Sequence, residues 1–230
     1  HLAAFGVGFF TFAVDYSFVY WAEERVTSAV VAVVFAAMAF VNLVVFRIAF
    51  GQRAPLLAWA AAGLGVLGVG SLSWEEIVSA ELGTRALTGI GLTLAGVFSA
   101  AIGNVYARRG ELAGAGVIAS TGWAMAYGAA MLAVFAVATG KTWAFEFTAP
   151  YILSLLHLSL VGSVIAFALY YGLARRRGYA TASYISALTP PLAMFVSALF
   201  EDKSWGVFAL SGVVLVLAGQ VLLLRSKRVA

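Results

Sequence analysis

Cysteine is absent from the 230 residues, and charge is scarce: Asp, Glu, Lys and Arg make up 10% of the chain against 63% for apolar types. Without thiols there are no disulfides, no thiolate metal sites and no Cys nucleophile, and the redox compartment leaves no mark. A soluble domain carries about 25% charged residues because its surface must be hydrated. This chain has well under half that share and a mean hydropathy of +0.99. Most of its surface must therefore face something apolar, and that is lipid. The same figures exclude a disordered chain, collagen and a coiled coil. Histidine is nearly missing too, at two residues, one of them the terminal His1. A haem or retinal protein would need facing histidines or a mid-span lysine. All three lysines (Lys141, Lys203, Lys227) lie outside the apolar runs, so no cofactor and no metal site are expected.

What the chain has in abundance is long apolar segments: 3–22, 27–50, 55–72, 86–107, 114–139, 149–174, 180–200 and 205–224. Each is close to the ~20 residues that cross ~30 Å of hydrocarbon as a helix rising ~1.5 Å per residue. Membrane strands would alternate in polarity over ~10 residues, whereas runs such as 30–40 and 212–224 are apolar all round, which rejects a β-barrel. The reading is an all-α polytopic membrane protein with eight spans. Pro55 and Pro150 stand at first-turn positions, and short polar breaks at 51–55, 74–85, 108–116 and 140–150 separate the spans. Trp74, Trp143 and Trp205 fall near span boundaries and read as interfacial anchors.

A net charge of +4 raises the question of a nucleic-acid partner, which the location of the charges answers. On one side of the eight spans lie Arg47, Arg53, Arg108, Arg109, Arg175, Arg176, Arg177, Arg225, Lys227 and Arg228, facing the single acid Glu111. On the other lie Arg25, Arg85, Lys141 and Lys203 with Glu23, Glu24, Glu75, Glu76, Glu81, Glu146, Glu201 and Asp202. By the positive-inside rule the arginine-rich side is cytoplasmic, so the protein is expected in the cytoplasmic membrane with both ends of the chain inside. No nucleic acid is expected. Asp15 alone among the charged residues falls within a span.

The spans also repeat. Shifted by 150 residues, Tyr20 meets Tyr170, Trp21 meets Tyr171, Ala32 meets Ala182, Phe50 meets Phe200 and Arg53 meets Lys203; one residue of slip aligns Gly63 and Gly70 with Gly212 and Gly219. The copies lie five spans apart, an odd number, so they have opposite orientation: an inverted-topology repeat of the kind that builds secondary transporters. A five-helix unit then divides the chain into the remainder of a first repeat at 1–73 with three helices, an outer-side linker at 74–85, and a second repeat at 86–230 with five. On this reading the chain lacks the first two helices of a ten-helix design.

The segment 15–53, with its aromatic-rich helix, small-residue turn and closing Gly51-Gln52-Arg53, and the segment 162–203, with Ala182-Ser183 and the mid-helix Pro190 and Pro191, resemble the drug/metabolite transporter superfamily in its EamA-type ten-helix branch. The resemblance covers essentially the whole chain. One departure is that Ala39 stands where the first copy of the family has its helix proline. The resemblance implies export or carriage of small metabolites, such as amino acids or drug-like compounds, between two inverted bundles without ATP hydrolysis.

Within the spans a few residues stand out. Asp15 lies eight residues before Glu23, roughly 12 Å below the outer boundary, where an ionised group costs several kcal/mol unless it faces a cavity or a partner. It is the first choice for proton coupling; its bland alternative is a hydrogen-bond anchor between helices. Gly8 and Thr11 share its face and suit a cavity wall. His157, roughly 10 Å below the same boundary counted from Pro150, could pair with Asp15 as a second proton-coupling group, or simply bond a carbonyl. Asn42 falls mid-span as a substrate-contact candidate, while Asn104 reads as interhelical glue. Trp123 and Tyr127 with Ser120, Ser163 and Tyr170 with Ser159, and Ser186 with Ser183, Pro190 and Ser197 form stripes that could wrap an amphipathic solute or merely pack.

Gly63 to Gly68 matches G-x-G-x-x-G but lies inside an apolar span and follows no strand, so it reads as a helix-contact surface and not a dinucleotide loop. One intramembrane acid and one histidine do not make an enzyme, so no catalytic residue is expected. The expectation is an alternating-access transporter whose partners are the bilayer, a small solute and protons, and for which a monomer suffices. The alternatives are a passive channel or a non-transporting sensor or scaffold; a channel should show a sustained polar ring, and none appears in the spans.

Overall fold

The structure, a computed structural model, describes residues 1–26, 28–72, 74, 83–140, 144–189, 191–192 and 206–225, and no strand occurs among them. Helix α1 is Leu2–Glu23, α2 Ser28–Ala36, α3 Met38–Phe50, α4 Leu56–Leu72, α5 Thr84–Leu112, α6 Val117–Ala138, α7 Ala149–Arg177, α8 Tyr179–Ser183 and α9 Val207–Arg225. The chain is thus an all-helical, polytopic membrane protein. Five stretches are long and apolar enough to cross a bilayer, and two further apolar helices are shorter. The seventh expected span, 180–200, opens with α8 and helical residues 185–189. Pro190, Ser197, Trp143, Trp205, Lys141 and Lys203 lie outside the described residues.

Local chemistry sets the element ends. Pro150 occupies the first turn of α7, where its missing N–H costs nothing. Gly51 closes α3 at φ +67°, and Gly178 at φ +93° reverses the chain between α7 and α8. That second conformation is open to glycine and strained for other residues. The second span is not continuous: a turn at Ala37 parts α2 from α3 without any proline.

Helix α5 is the centre of the molecule. Its Gly89, Gly96, Gly103 and Gly110 recur every seven residues and face α1 and the turn that follows it. A Cβ at Gly96 would come within 2.8 Å of Asp15 Oδ1, and one at Gly103 would overlap Thr11 Oγ1. Small residues let helices approach closely in lipid, where packing replaces the hydrophobic effect as the force between them. The same rule joins α4 to α9, where a Cβ at Gly68 would meet Val216 Cγ2 at 2.6 Å and one at Gly219 would overlap the Tyr184 hydroxyl. Of the glycines aligned in the sequence repeat, Gly219 makes a close contact, whereas Gly63 and Gly70 meet nothing within 4 Å. Tyr184, fully buried, donates to the carbonyl of Val216 at 2.9 Å and wedges the bundle at that crossing.

Two helices carry wide π-helical stretches, Gly8–Asp15 in α1 and His157–Ile165 in α7. Moved by 150 residues, the first covers 158–165, so the irregularity recurs in the register read from the sequence. Their surroundings differ. The first stretch is packed against α5 and α6, while from Ala149 to Ile165 no residue of α7 is buried.

Candidate functional site

Four spans meet at a ring of polar side chains. Asn42 of α3 donates to Ser183 Oγ of α8 at 2.6 Å. Asn104 of α5 donates to Asn42 Oδ1 at 3.2 Å and to Tyr170 Oη of α7 at 3.0 Å. Tyr170 and Ser183 close the ring at 2.7 Å. Asn42, Asn104 and Ser183 are all buried, so these groups satisfy one another in place of water, as buried polar groups must. Ser183 and Tyr170 each accept a bond within the ring and share one hydrogen between them. The second hydroxyl hydrogen is left over for a polar group arriving from outside.

A cavity of about 130 Å³ reaches this ring. Its floor includes Asn42 and Phe46, and its mouth carries Gln52, Arg108, Arg175 and Arg176. Two of these guanidinium groups are already engaged: Arg108 pairs with Glu111 at 2.6 Å, and Arg175 donates to the Ala115 carbonyl at 2.7 Å. Arg176 and Arg177 are exposed. The cavity therefore runs from an electropositive rim into a neutral, hydrogen-bonding floor.

Asp15 and Thr11 are 5% and 6% exposed, and Asp15 Oδ1 lacks a hydrogen-bond partner. Both project toward the glycine face of α5. Below them, toward the arginine-rich end, Tyr171 lies beside Thr11, and Tyr179 follows with ring centroids 6.5 Å from Tyr171. Both phenol oxygens are buried; that of Tyr179 has no partner, and that of Tyr171 has only Thr11. At the start of α8, just outside the spans, the Tyr179 phenol is pushed up, first by burial and then by the neighbouring Glu111 carboxylate; Arg175 and Arg108 oppose the shift.

The remaining sequence candidates are scattered. Asn42 and Tyr170 are in the ring, and Ser186 is half-buried on the turn after Ser183. Trp123 of α6, 52% exposed, lies tilted against Tyr127 with ring centroids 5.9 Å apart, and Tyr127, half-buried against α1, bonds His1 Nδ1 at 2.9 Å. His157 is exposed on the bare face of α7, and Ser163 donates to the Leu158 carbonyl at 3.0 Å on the same π-helical stretch. The structure does not bring His157 to Asp15. Such a pairing needs a helix rotation that apolar-all-round spans do not encode.

Ser183 and Asn104, which reasoning from sequence placed outside the first rank, complete the ring. Tyr171, Tyr179, Glu111 and Arg175 were not among the candidate site residues. A usable signal existed for one of them: Glu111 is the only acid among ten basic residues on its side.

Comparison with known proteins gives three findings. The model of the EamA-like transporter family matches residues 87–225. No curated protein matches the chain. Among solved structures, one described only as the crystal structure of a protein superposes with a TM-score of 0.76 at 16% identity, over 96% of this chain and 75% of its own. At that identity the likeness shows a common fold.

Proposed function

The chain belongs to the EamA-like transporter family, and from that premise we propose that it exports a small metabolite by alternating access, coupled to protons through Asp15. The observation that carries this reading is the cavity ending on Asn42 and the four-span ring. A solute enters from the arginine-rich side, which the charge bias makes cytoplasmic, and finds the Asn42 amide at the floor, through which it reaches the ring. The volume of about 130 Å³ is below the ~300–1,000 Å³ of sites for drug-sized ligands. It suits a solute of amino-acid size.

The ring ties α3, α5, α7 and α8 together, so a solute that takes over one of its bonds changes the balance between the closed arrangement and an open one. Asp15 supplies the coupling. A carboxyl at mid-membrane depth changes its cost by several kcal/mol between its charged and neutral forms. Gain or loss of one proton therefore biases which conformation is occupied. Membership of a transporter family supports carriage over the sensor and channel readings.

An export screen over amino acids and cationic drugs, in cells expressing the chain, identifies the solute. In liposomes, Asp15→Asn is then expected to reduce pH-driven flux roughly tenfold or more, equivalent to about 1.4 kcal/mol, with the melting temperature unchanged or raised. Undiminished pH-driven flux in that variant overturns the assignment of Asp15.

A further inference from the structure

Five buried side-chain oxygens lie along one path: Asp15 Oδ1, Thr11 Oγ1, Tyr171 Oη, Tyr179 Oη and Glu111 Oε2; the first and the last two have no hydrogen-bond partner, and Thr11 and Tyr171 have only each other. A native fold leaves few buried polar groups without an outside partner, so their alignment on one path calls for a function. Thr11 stands one turn below Asp15 on α1, with Tyr171 beside it. Tyr171 and Tyr179 both line a second small cavity of about 20 Å³, bounded also by Gly110, Thr121 and Arg175. That volume exceeds the ~10–15 Å³ that one water molecule needs. Glu111 ends the path at the arginine-rich surface, its other oxygen held by Arg108 at 2.6 Å.

We propose that these five groups form a proton relay that connects Asp15 to the cytoplasm, with one or two water molecules seated between Tyr171 and Tyr179. This rests on the proton-coupled reading of Asp15 and extends it with a route. Hydroxyls are the right links because each donates and accepts at once: a proton arriving on one oxygen releases another from its far side, so charge moves without a net change in any hydroxyl. Carboxylates belong at the two ends, where a proton must be held. The relay runs beside the substrate cavity, which Tyr179 also lines, while Tyr170, not Tyr171, belongs to the Asn42 ring. The ionisable and charged groups around its ends are Tyr16 beside Asp15, where α5 presents Gly96, and Arg108, Arg175 and Tyr179 around Glu111.

The test needs no substrate. In the full chain reconstituted in nanodiscs, the carboxyl band of Asp15, identified by its disappearance in Asp15→Asn, is followed by time-resolved infrared spectroscopy after a pH jump. Tyr171→Phe and Thr11→Val remove one relay oxygen each from different helices; neither oxygen bonds anything but the other, so folding should survive, as a melting curve checks. The expected result is a slowing of Asp15 protonation by roughly tenfold or more in each variant, about 1.4 kcal/mol on the barrier, with the end-point titration little changed. Unchanged rates in both variants, with Asp15 still titrating, overturn the relay alone. An Asp15 band that does not respond to pH overturns the relay together with the coupling role on which it rests.

Discussion

Asn42 takes part in two bonds of the ring, donating to Ser183 and accepting from Asn104. Replacing it with Ala leaves both partners in a site where almost no water reaches them, since Asn104 and Ser183 are 3% and 1% exposed. In water-soluble proteins an orphaned buried group costs about 1–3 kcal/mol. In a bilayer the measured range for interhelical bonds is lower, ~0.6–2 kcal/mol, because helices separated in lipid also find partners. The lower range should govern here. Asn42→Ala is expected to lower stability by about 1–2 kcal/mol, read as a fall in melting temperature in detergent. Asn104→Ala should cost less than additively on top of it, because the bond between them is already gone. A strictly additive pair would mean that the ring does not act as a unit.

At the scale of the helices, glycine spacing sets how close two rods can come. Gly103 faces Thr11 so tightly that any Cβ would overlap Oγ1 and lie 3.2 Å from Cβ and 3.3 Å from the backbone nitrogen. Gly103→Ala is therefore expected to destabilise by about 1–3 kcal/mol through overpacking. In a Thr11→Ala background the nearest obstacle is gone, so the same change should cost markedly less. A double-mutant cycle on unfolding in detergent measures the difference, and a coupling near zero would show that α1 and α5 do not meet at this pair. Most helix positions among the described residues were legible in the sequence because length and apolarity alone define a span, although the second span breaks at Ala37 and most of 190–205 lies outside the described residues. Pro150 and the polar breaks marked the ends. Helix rotation was not legible. In water a polar face tells a helix which way to turn, but spans such as α4 and α6 are equally apolar on every side. His157 and Asp15, at similar depth by counting, accordingly face different surroundings. The heptad Gly89–Gly96–Gly103–Gly110 was the available cue to the inward face of α5, and it points at Asp15 and Thr11. The π-helical stretches left no comparable trace in composition.

For the molecule as a whole, orientation decides what the cavity means. If the mouth with Arg108, Arg175 and Arg176 opens to the cytoplasm, the solute path starts inside the cell and export follows; if it opens outward, the same geometry describes uptake. The charge count favours the first by ten basic residues against four, and cytoplasmic retention of Lys and Arg is the strongest topological signal in such chains. Because the chain has no native cysteine, orientation can be read with single introduced thiols on an otherwise unreactive background. Gly114, in the turn between α5 and α6, and Arg176, at the end of α7, lie at the arginine-rich end, while Phe147, 88% exposed before α7, lies at the other. In intact cells a membrane-impermeant maleimide is expected to label Phe147→Cys and to spare Gly114→Cys and Arg176→Cys until the membrane is opened. The reverse pattern would turn the export reading into an import one and move the relay's exit to the outer surface. Labelling of Gly114→Cys without Arg176→Cys would break the bundle itself, because the Arg175 bond to Ala115 holds those two turns side by side at 2.7 Å.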